Sequence, residues 1–151
     1  MADDRSQITH TFLTEQALTR IEAKISAAEK RTSAEIKVII DSKGGKDLRK
    51  RARGLFKKYG LYKTAQRNGV LILVQPTIRK FLIYGDKGIH KNVGQGFWDE
   101  VRDTMLACFM ENRHADGLSI GIHLIGEILA RFFPHQEGDI NEISNRVEFE
   151  Y

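Results

Sequence analysis

The chain has 151 residues, of which 41% are hydrophobic, and this is enough for one domain with a buried core. Its 24 basic and 20 acidic residues give a formal net charge of +4, which is too balanced to indicate a nucleic-acid-binding protein. The single cysteine, Cys108, excludes an intrachain disulfide, and no apolar run approaches the roughly 18 residues of a membrane-spanning helix. Since no signal-peptide pattern is present either, we expect a soluble, cytoplasmic protein without a membrane anchor.

The first part of the chain predicts a helix, a strand and a second helix. Residues 1–13 carry little pattern and form a lead-in to the domain. Thr14 is a suitable N-cap, and the apolar residues after it recur at helical spacing as far as about Lys30. The β-branched segment Glu35–Asp41 predicts a strand, and the apolar stripe of Asp47–Gly60 predicts a helix that stops at the glycine.

The segment Arg67–Gly88 predicts two adjacent strands. Within it, Val70–Val74 is an unbroken apolar run, as expected for a strand that is buried on both faces. Pro76 and Thr77 leave room only for a hairpin, so the next strand, Arg79–Tyr84, should run antiparallel to the first. A strand–helix–strand unit is normally a right-handed crossover, and this makes the strands on either side of the second helix parallel.

The rest of the chain predicts two more amphipathic helices and a polar tail. Residues 89–95 are expected to be irregular, and helical spacing of apolar residues then covers Phe97–Phe109 and Ala115–Phe133. Residues 135–151 are expected to form a polar, acidic C-terminal tail. The predicted fold class of the domain, residues 14–134, is α/β: a three-layer α/β/α sandwich whose small mixed sheet has a βαβ crossover and a β-hairpin, with helices on both faces.

The predicted topology brings oxygen-bearing side chains to one edge of the sheet. Glu35 and Asn68 lie at the starts of the two parallel strands, and the antiparallel hairpin returns Asp86 to the same edge. Hard divalent cations prefer carboxylate and carbonyl oxygens, and the glycine-containing backbone of Gly85–Gly88 can approach an ion closely. The sequence therefore predicts a Ca²⁺ or Mg²⁺ site at this edge.

Asp99 and Asp103 are candidates to complete the site, because they lie four residues apart on one face of the next predicted helix. The candidate ligands also have structural interpretations. Asp86 can shape a turn, Asp99 can favour a helix start, and Glu35 can pair with Arg67. The residues alone leave both interpretations open.

The segment Lys43–Lys58 is locally basic. It contains eight basic residues, Lys43, Lys46, Arg49, Lys50, Arg51, Arg53, Lys57 and Lys58. The ordinary interpretation is a solvated helix face, and the alternative is a surface that binds an anionic membrane or an anionic partner.

Four short motifs, in this order, resemble those of TPM domains. Residues 32–38, TSAEIKV, resemble the opening strand T-G-A-E-I-x-V, and residues 67–74, RNGVLILV, resemble the strand D-N-G-V-L-L-L-V. Residues 79–85 resemble the following strand R-K-x-x-I-x-x-G, and residues 116–118 resemble the x-G-L that opens the last helix. The resemblance runs from about Leu13 to Phe133, nearly the whole domain.

The resemblance implies an α/β/α sandwich, divalent-cation binding and an acid phosphatase activity, the last attributed to a thylakoid member. Other members look like accessory parts of membrane complexes, and this chain looks like a short soluble variant. Glu35, Asn68 and the Gly85–Gly88 loop match family motif positions, whereas Asp99 aligns only loosely. The usual G-x-G of the loop is replaced by Gly-Asp-Lys-Gly here, which leaves the ligand set open.

Three functions follow from the sequence, in descending order of preference. The first is a Ca²⁺- or Mg²⁺-binding module that acts through a protein partner. The second is a metal-dependent phosphatase, in which the metal polarises a phosphoryl oxygen of a phosphate ester and Arg67 or Lys87 steadies the phosphate. The third is a basic scaffold that binds an anionic surface through Lys43–Lys58.

Overall fold

The computed structural model describes residues 12–43, 47–138 and 143–150 of the chain. These residues form five α-helices, two short 3₁₀ turns and four β-strands. The helices are α1 (Glu15–Glu29), α2 (Leu48–Lys58), α3 (Lys87–Asn92), α4 (Gln95–Met110) and α5 (His114–Phe132). The strands are β1 (Glu35–Asp41), β2 (Gly69–Gln75), β3 (Lys80–Gly85) and β4 (Glu148–Glu150). The 3₁₀ turns are Leu61–Lys63 and Pro76–Ile78.

The four strands form one mixed sheet in the order β3-β2-β1-β4. Strands β1 and β2 are parallel, with Glu35 opposite Gly69, and α2 is the crossover between them. Strand β3 returns antiparallel to β2 through the turn at Pro76, so that Val70 lies opposite Gly85. The predicted crossover and hairpin are both confirmed.

Helices cover both faces of the sheet, which confirms the predicted three-layer α/β/α sandwich. Side chains alternate along β1, so that Ile36, Val38 and Ile40 pack in the larger core with α1, α4 and α5. Ile39 packs in a smaller core against α2, with apolar side chains of β2 such as Leu73. Successive residues of a strand point to opposite faces, and since both faces of β2 are buried, its sequence is an unbroken apolar run.

Local sequence signals set the ends of the first two helices. The Thr14 hydroxyl accepts a hydrogen bond from the backbone N–H of Ala17 at 3.0 Å, and the Asp47 carboxylate accepts one from Lys50 at 3.0 Å. Each cap satisfies a backbone donor that would otherwise lack a partner at the start of its helix. Gly60 has a φ of 73°, a left-handed conformation that glycine adopts without a steric penalty and that ends the second helical segment.

Two features differ from the sequence predictions. Residues 89–95 were expected to be irregular, but α3 extends through them as far as Asn92, and Asp86 caps this helix by accepting a hydrogen bond from the Lys87 N–H at 2.7 Å. The polar tail contributes β4, which lies parallel to β1 with Glu148 opposite Ile39. A strand at this position was not predicted.

The buried side chain of Lys37 explains how the polar tail joins the sheet. Its ammonium group donates to the carbonyls of Ser144 and Arg146 at 3.0 and 2.8 Å, and to the Glu148 carboxylate at 3.1 Å. The Lys37 side chain is only 1% exposed. A buried ammonium with three good acceptors is satisfied, so this lysine holds the tail against β1.

No helix within the described ranges is long and apolar enough to cross a membrane. The cytoplasmic location remains a prediction. Most of the predicted lead-in, residues 1–11, lies outside the described residues, as do Lys46 of the basic segment and residues 139–142 of the tail.

A candidate cation site at the rim of the sheet

Three of the predicted site residues lie at one edge of the sheet, which we call the rim. Glu35 is the first residue of β1, and its partner Gly69 follows Asn68 directly. The backbone N–H of Asp86 donates to the Gly69 carbonyl at 3.0 Å, which places Asp86 beside the start of β2. Glu35, Asn68 and Asp86 are 5%, 1% and 6% exposed, so the rim buries three polar side chains together.

Asp86 already has strong partners at the rim. Its Oδ2 accepts a hydrogen bond from Arg67 Nε at 2.7 Å, and its Oδ1 accepts from Arg67 Nη2 at 3.0 Å. Oδ1 also accepts the helix-capping bond from Lys87. A bidentate pair with a guanidinium is among the strongest polar contacts in proteins, so a cation would have to compete with Arg67 for this carboxylate.

The backbone around Arg67 is tightly constrained. Arg67 has a φ of 51°, a left-handed conformation that residues other than glycine rarely adopt. The Gly88 N–H donates to the Arg67 carbonyl at 2.9 Å, and a Cβ at Gly88 would lie 2.6 Å from that oxygen. The glycine therefore allows α3 to pack directly on the turn that presents Arg67 and Asn68.

The backbone carbonyls predicted as additional ligands are partly occupied. The Asp86 carbonyl accepts from Ile89 and His90 within α3, and the Gly88 carbonyl accepts from the Asn92 side chain at 2.8 Å. These bonds belong to the helix that replaces the expected loop. Their use as ligands remains a prediction.

Asp99 and Asp103 lie on the surface of α4. Their side chains are 45% and 67% exposed, and both pair with Arg102, at 3.4 and 3.1 Å. Asp99 also accepts a hydrogen bond from Gln95 at 3.1 Å. No contact between either aspartate and the rim is found within the described ranges, and their role as ligands remains a prediction.

A further carboxylate, Glu29, reaches the rim from the last turn of α1. Its Oε2 accepts a hydrogen bond from the backbone N–H of Ile36 at 2.7 Å, and its side chain shares a hydrogen bond with Glu35. Burial and the neighbouring charge of Glu35 raise the pKa of Glu29 to about 9. Glu29 is therefore protonated at neutral pH and is hydrogen-bonded to the Glu35 carboxylate.

The side-chain amide of Asn68 contributes an oxygen without a partner. Its Nδ2 donates to the Ser33 hydroxyl at 3.2 Å, and its backbone N–H donates to the Thr64 hydroxyl at 2.9 Å. Its Oδ1 is buried and accepts no hydrogen bond from the described residues. Such an atom costs free energy unless a donor or a cation reaches it.

The rim offers the oxygen donors of a candidate cation site. Glu29, Glu35 and Asn68 supply carboxylate and amide oxygens, the ligand types that Ca²⁺ and Mg²⁺ prefer, and water can fill the remaining positions. Across the described part of the chain, no group of three or more His, Cys, Asp or Glu residues is arranged to hold a metal ion. The candidate site therefore depends on the Asn68 amide as well as on carboxylates.

Sequence reasoning missed Glu29, although one signal was available. A helix C-terminus carries partial negative charge and favours basic residues, yet the last turn of α1 contains no basic residue and ends in Glu29. An acidic residue in an unfavourable position of this kind is a candidate functional residue.

The layered fold and its polar rim place the chain among small α/β/α domains. The family model of the TPM domain matches residues 8–128, so the chain belongs to the TPM domain family. Among curated proteins, none matches the chain.

The chain is similar to several solved structures, two of which are described here. The BA42 protein of the psychrophilic bacterium Bizionia argentinensis, solved by NMR, is 37% identical, with a TM-score of 0.85, over 91% of this chain and 95% of that protein. The N-terminal domain of a protein from P. gingivalis is 19% identical, with a TM-score of 0.68, over 83% of each chain. The second similarity shows the fold alone.

Proposed function

We propose that this TPM domain binds a divalent cation, Ca²⁺ or Mg²⁺, at the rim and acts as an accessory module for a protein partner. The observation that carries the proposal is the buried Asn68 Oδ1, which lacks a hydrogen-bond partner among the described residues. Gly69, the next residue, lies opposite Glu35, the carboxylate that is hydrogen-bonded to Glu29. A cation would give this oxygen a partner and replace the proton between the two carboxylates.

The choice of ligands within the rim follows from competing contacts. Glu29, Glu35 and Asn68 form the core of the proposed site. Asp86 is a second-choice ligand, because Arg67 binds both of its oxygens. The exposed pair Asp99 and Asp103 ranks last.

Calcium and magnesium titrations of the metal-free chain test this proposal. We expect backbone amide shifts at residues 33–36 and 67–69 to saturate in the millimolar range or below, as in weak extracellular-type calcium sites. Calorimetry on the same samples gives the affinity for each ion. If these amides do not move at millimolar ion, the proposal is wrong.

Three variants separate the rim from a general effect of negative charge. Glu35→Gln removes a ligand charge and should weaken binding at least about tenfold. Asn68→Asp adds a charge at the unpaired oxygen, so it should strengthen cation binding while it destabilises the metal-free protein. Asp103→Asn is the matched control, because this side chain is 67% exposed and its ion pair is with Arg102 on the same helix. An equal loss of affinity in the control would move the site to α4.

A metal-dependent acid phosphatase is the second candidate function. The favouring observation is that Arg67, 39% exposed, lies next to Asn68 and can present its guanidinium to a phosphate. Asp86 would position that guanidinium through the bidentate pair. Hydrolysis of a generic phosphate ester should then require the cation and fall in Asp86→Asn. Turnover that survives this substitution would place the activity elsewhere.

A further inference from the structure

The two helical layers of the sandwich carry opposite charge. Helix α2 contains six basic side chains and no acidic one. The layer of α1, α4 and α5 contains eight acidic and four basic side chains. The small net charge of the chain therefore hides a strong charge difference between its two faces, and α2 is the face that attracts anions.

A glycine lies at the centre of the exposed face of α2. Gly54 is exposed, whereas Ala52, Leu55 and Phe56 are buried against the sheet. The positions three and four residues away on either side are neighbours on a helix surface. Around Gly54 all four of these positions hold basic residues, which we call the basic ring: Lys50, Arg51, Lys57 and Lys58.

No packing contact explains this glycine. A Cβ at Gly54 would meet nothing within 4 Å, whereas a Cβ at Gly121 of α5 would lie 2.5 Å from Met105 Sδ. A glycine within a helix weakens it relative to alanine, and at Gly54 it leaves the helix backbone uncovered, so that a ligand can approach it closely. The open space above Gly54 is surrounded by cations.

Two carboxylates near α2 lie beneath the basic ring, whereas the Asp47 carboxylate caps the N-terminus of the helix. Arg51 bonds Asp41 at 2.9 Å and Lys58 bonds Glu150 at 2.9 Å, and both carboxylates are buried. Within the described part of the chain, no acidic side chain lies within ion-pair distance of Lys50 or Lys57. The outer half of the ring is therefore available to an external anion.

We propose that the outer face of α2 docks on an anionic phospholipid surface, with a lipid phosphate seated over Gly54 within the basic ring. Charge complementarity favours a membrane surface, since each Lys or Arg near an anionic leaflet contributes to binding. The turn after α2 adds an exposed aromatic residue, Tyr62, with Lys63 over its ring at 5.8 Å. Tyrosine is enriched at the membrane–water interface, where its polar tip and apolar body suit both sides.

Vesicle flotation of the full chain tests this proposal. Vesicles of phosphatidylcholine alone are compared with vesicles that contain about one-third phosphatidylglycerol, in chelator so that no cation bridges protein and lipid. We expect binding only to the anionic vesicles, and we expect it to disappear at about 0.5 M salt, where charges are screened within a few ångströms. Chelator also makes the result independent of the proposed cation site.

Matched variants assign the binding to the basic ring. Lys50→Glu with Lys57→Glu should weaken binding about 25-fold or more, since each lost cation costs about fivefold. Lys24→Glu with Lys80→Glu removes the same charge from exposed positions outside α2 and should retain most of the binding. Gly54→Glu should abolish binding without unfolding the helix, because glutamate is the better helix former.

Several results would overturn the proposal. These are equal binding to neutral and anionic vesicles, an equal loss in the Lys24 and Lys80 control, and normal binding by Gly54→Glu. Amide shifts in α2 with inorganic phosphate or with duplex DNA, without any binding to vesicles, would also overturn it, because they would assign the face to a soluble anion or to a nucleic acid.

Discussion

The contact most open to a quantitative test is the one between Lys37 and the C-terminal segment. Methionine at this position keeps most of the length and apolar volume of lysine but donates no hydrogen bond. Lys37→Met therefore leaves the carbonyls of Ser144 and Arg146 without the ammonium that now lies 3.0 and 2.8 Å away. It also removes the 3.1 Å ion pair to Glu148.

The expected loss of stability in Lys37→Met follows from the three bonds of the ammonium group. A hydrogen bond to a charged group contributes about 1.5–3 kcal/mol net, and methionine recovers part of the cost of burying an ammonium. Ser144 and Arg146 are exposed residues, so water replaces some of the lost donors. We expect Lys37→Met to lower the free energy of unfolding by about 2–4 kcal/mol. Glu148→Gln should cost less than about 1 kcal/mol, because that side chain is 32% exposed.

Urea denaturation and amide hydrogen exchange measure this loss in complementary ways. In Lys37→Met, exchange should accelerate at the amides of β4 and at Ser42, whose N–H donates to the Glu150 carbonyl at 2.8 Å. Amides of β2 should keep their relative protection. An unchanged or higher denaturation midpoint, together with unchanged exchange in β4, would refute the idea that Lys37 holds this strand.

Three further predictions concern titration and packing. The pKa of Glu29 is raised from 4.5 to about 9, so the free energy of unfolding of the metal-free protein should fall as the pH rises through this range. Urea denaturation at several pH values should show a smaller fall for Glu29→Gln. Burial raises the pKa of Asp41, but hydrogen bonds from Arg51 and Gln75 outweigh it and lower the pKa below 3.8. The stability that the ionised Asp41 contributes is present above that value and is lost in more acidic solution. Asp41→Asn should therefore remove this loss of stability at acidic pH. Gly88→Ala should lower the melting temperature, because its methyl group would meet the Arg67 carbonyl, whereas Gly54→Ala should raise stability by about 0.5–1 kcal/mol.

Local patterns predicted the sheet well, because the apolar run of β2 and the short link at Pro76 allow few arrangements. The parallel pairing of β1 with β2 and the antiparallel return of β3 then brought Asn68 and Asp86 to one edge. This part of the candidate site could be deduced from topology alone.

The parts that were missed depend on long-range contacts that no local pattern records. Strand β4 has few apolar residues, and it pairs with β1 because Lys37, in the middle of an apolar strand, needs acceptors. Glu29 belongs to the site only because α1 ends beside the start of β1. The bidentate bond between Asp86 and Arg67 likewise depends on the left-handed backbone at Arg67, a conformation that an arginine does not signal in a sequence.

The pairing of β4 with β1 has a consequence during protein synthesis. Ile39 and its partner Glu148 are more than 100 residues apart, so at about 5–20 residues per second the ribosome needs about 5–20 s to supply the missing neighbour. Throughout that interval the edge of β1 that later pairs with β4 stays open to other nascent chains. Substitutions that delay the capture of β4 should therefore reduce the soluble yield in cells more than they reduce the stability of the purified protein.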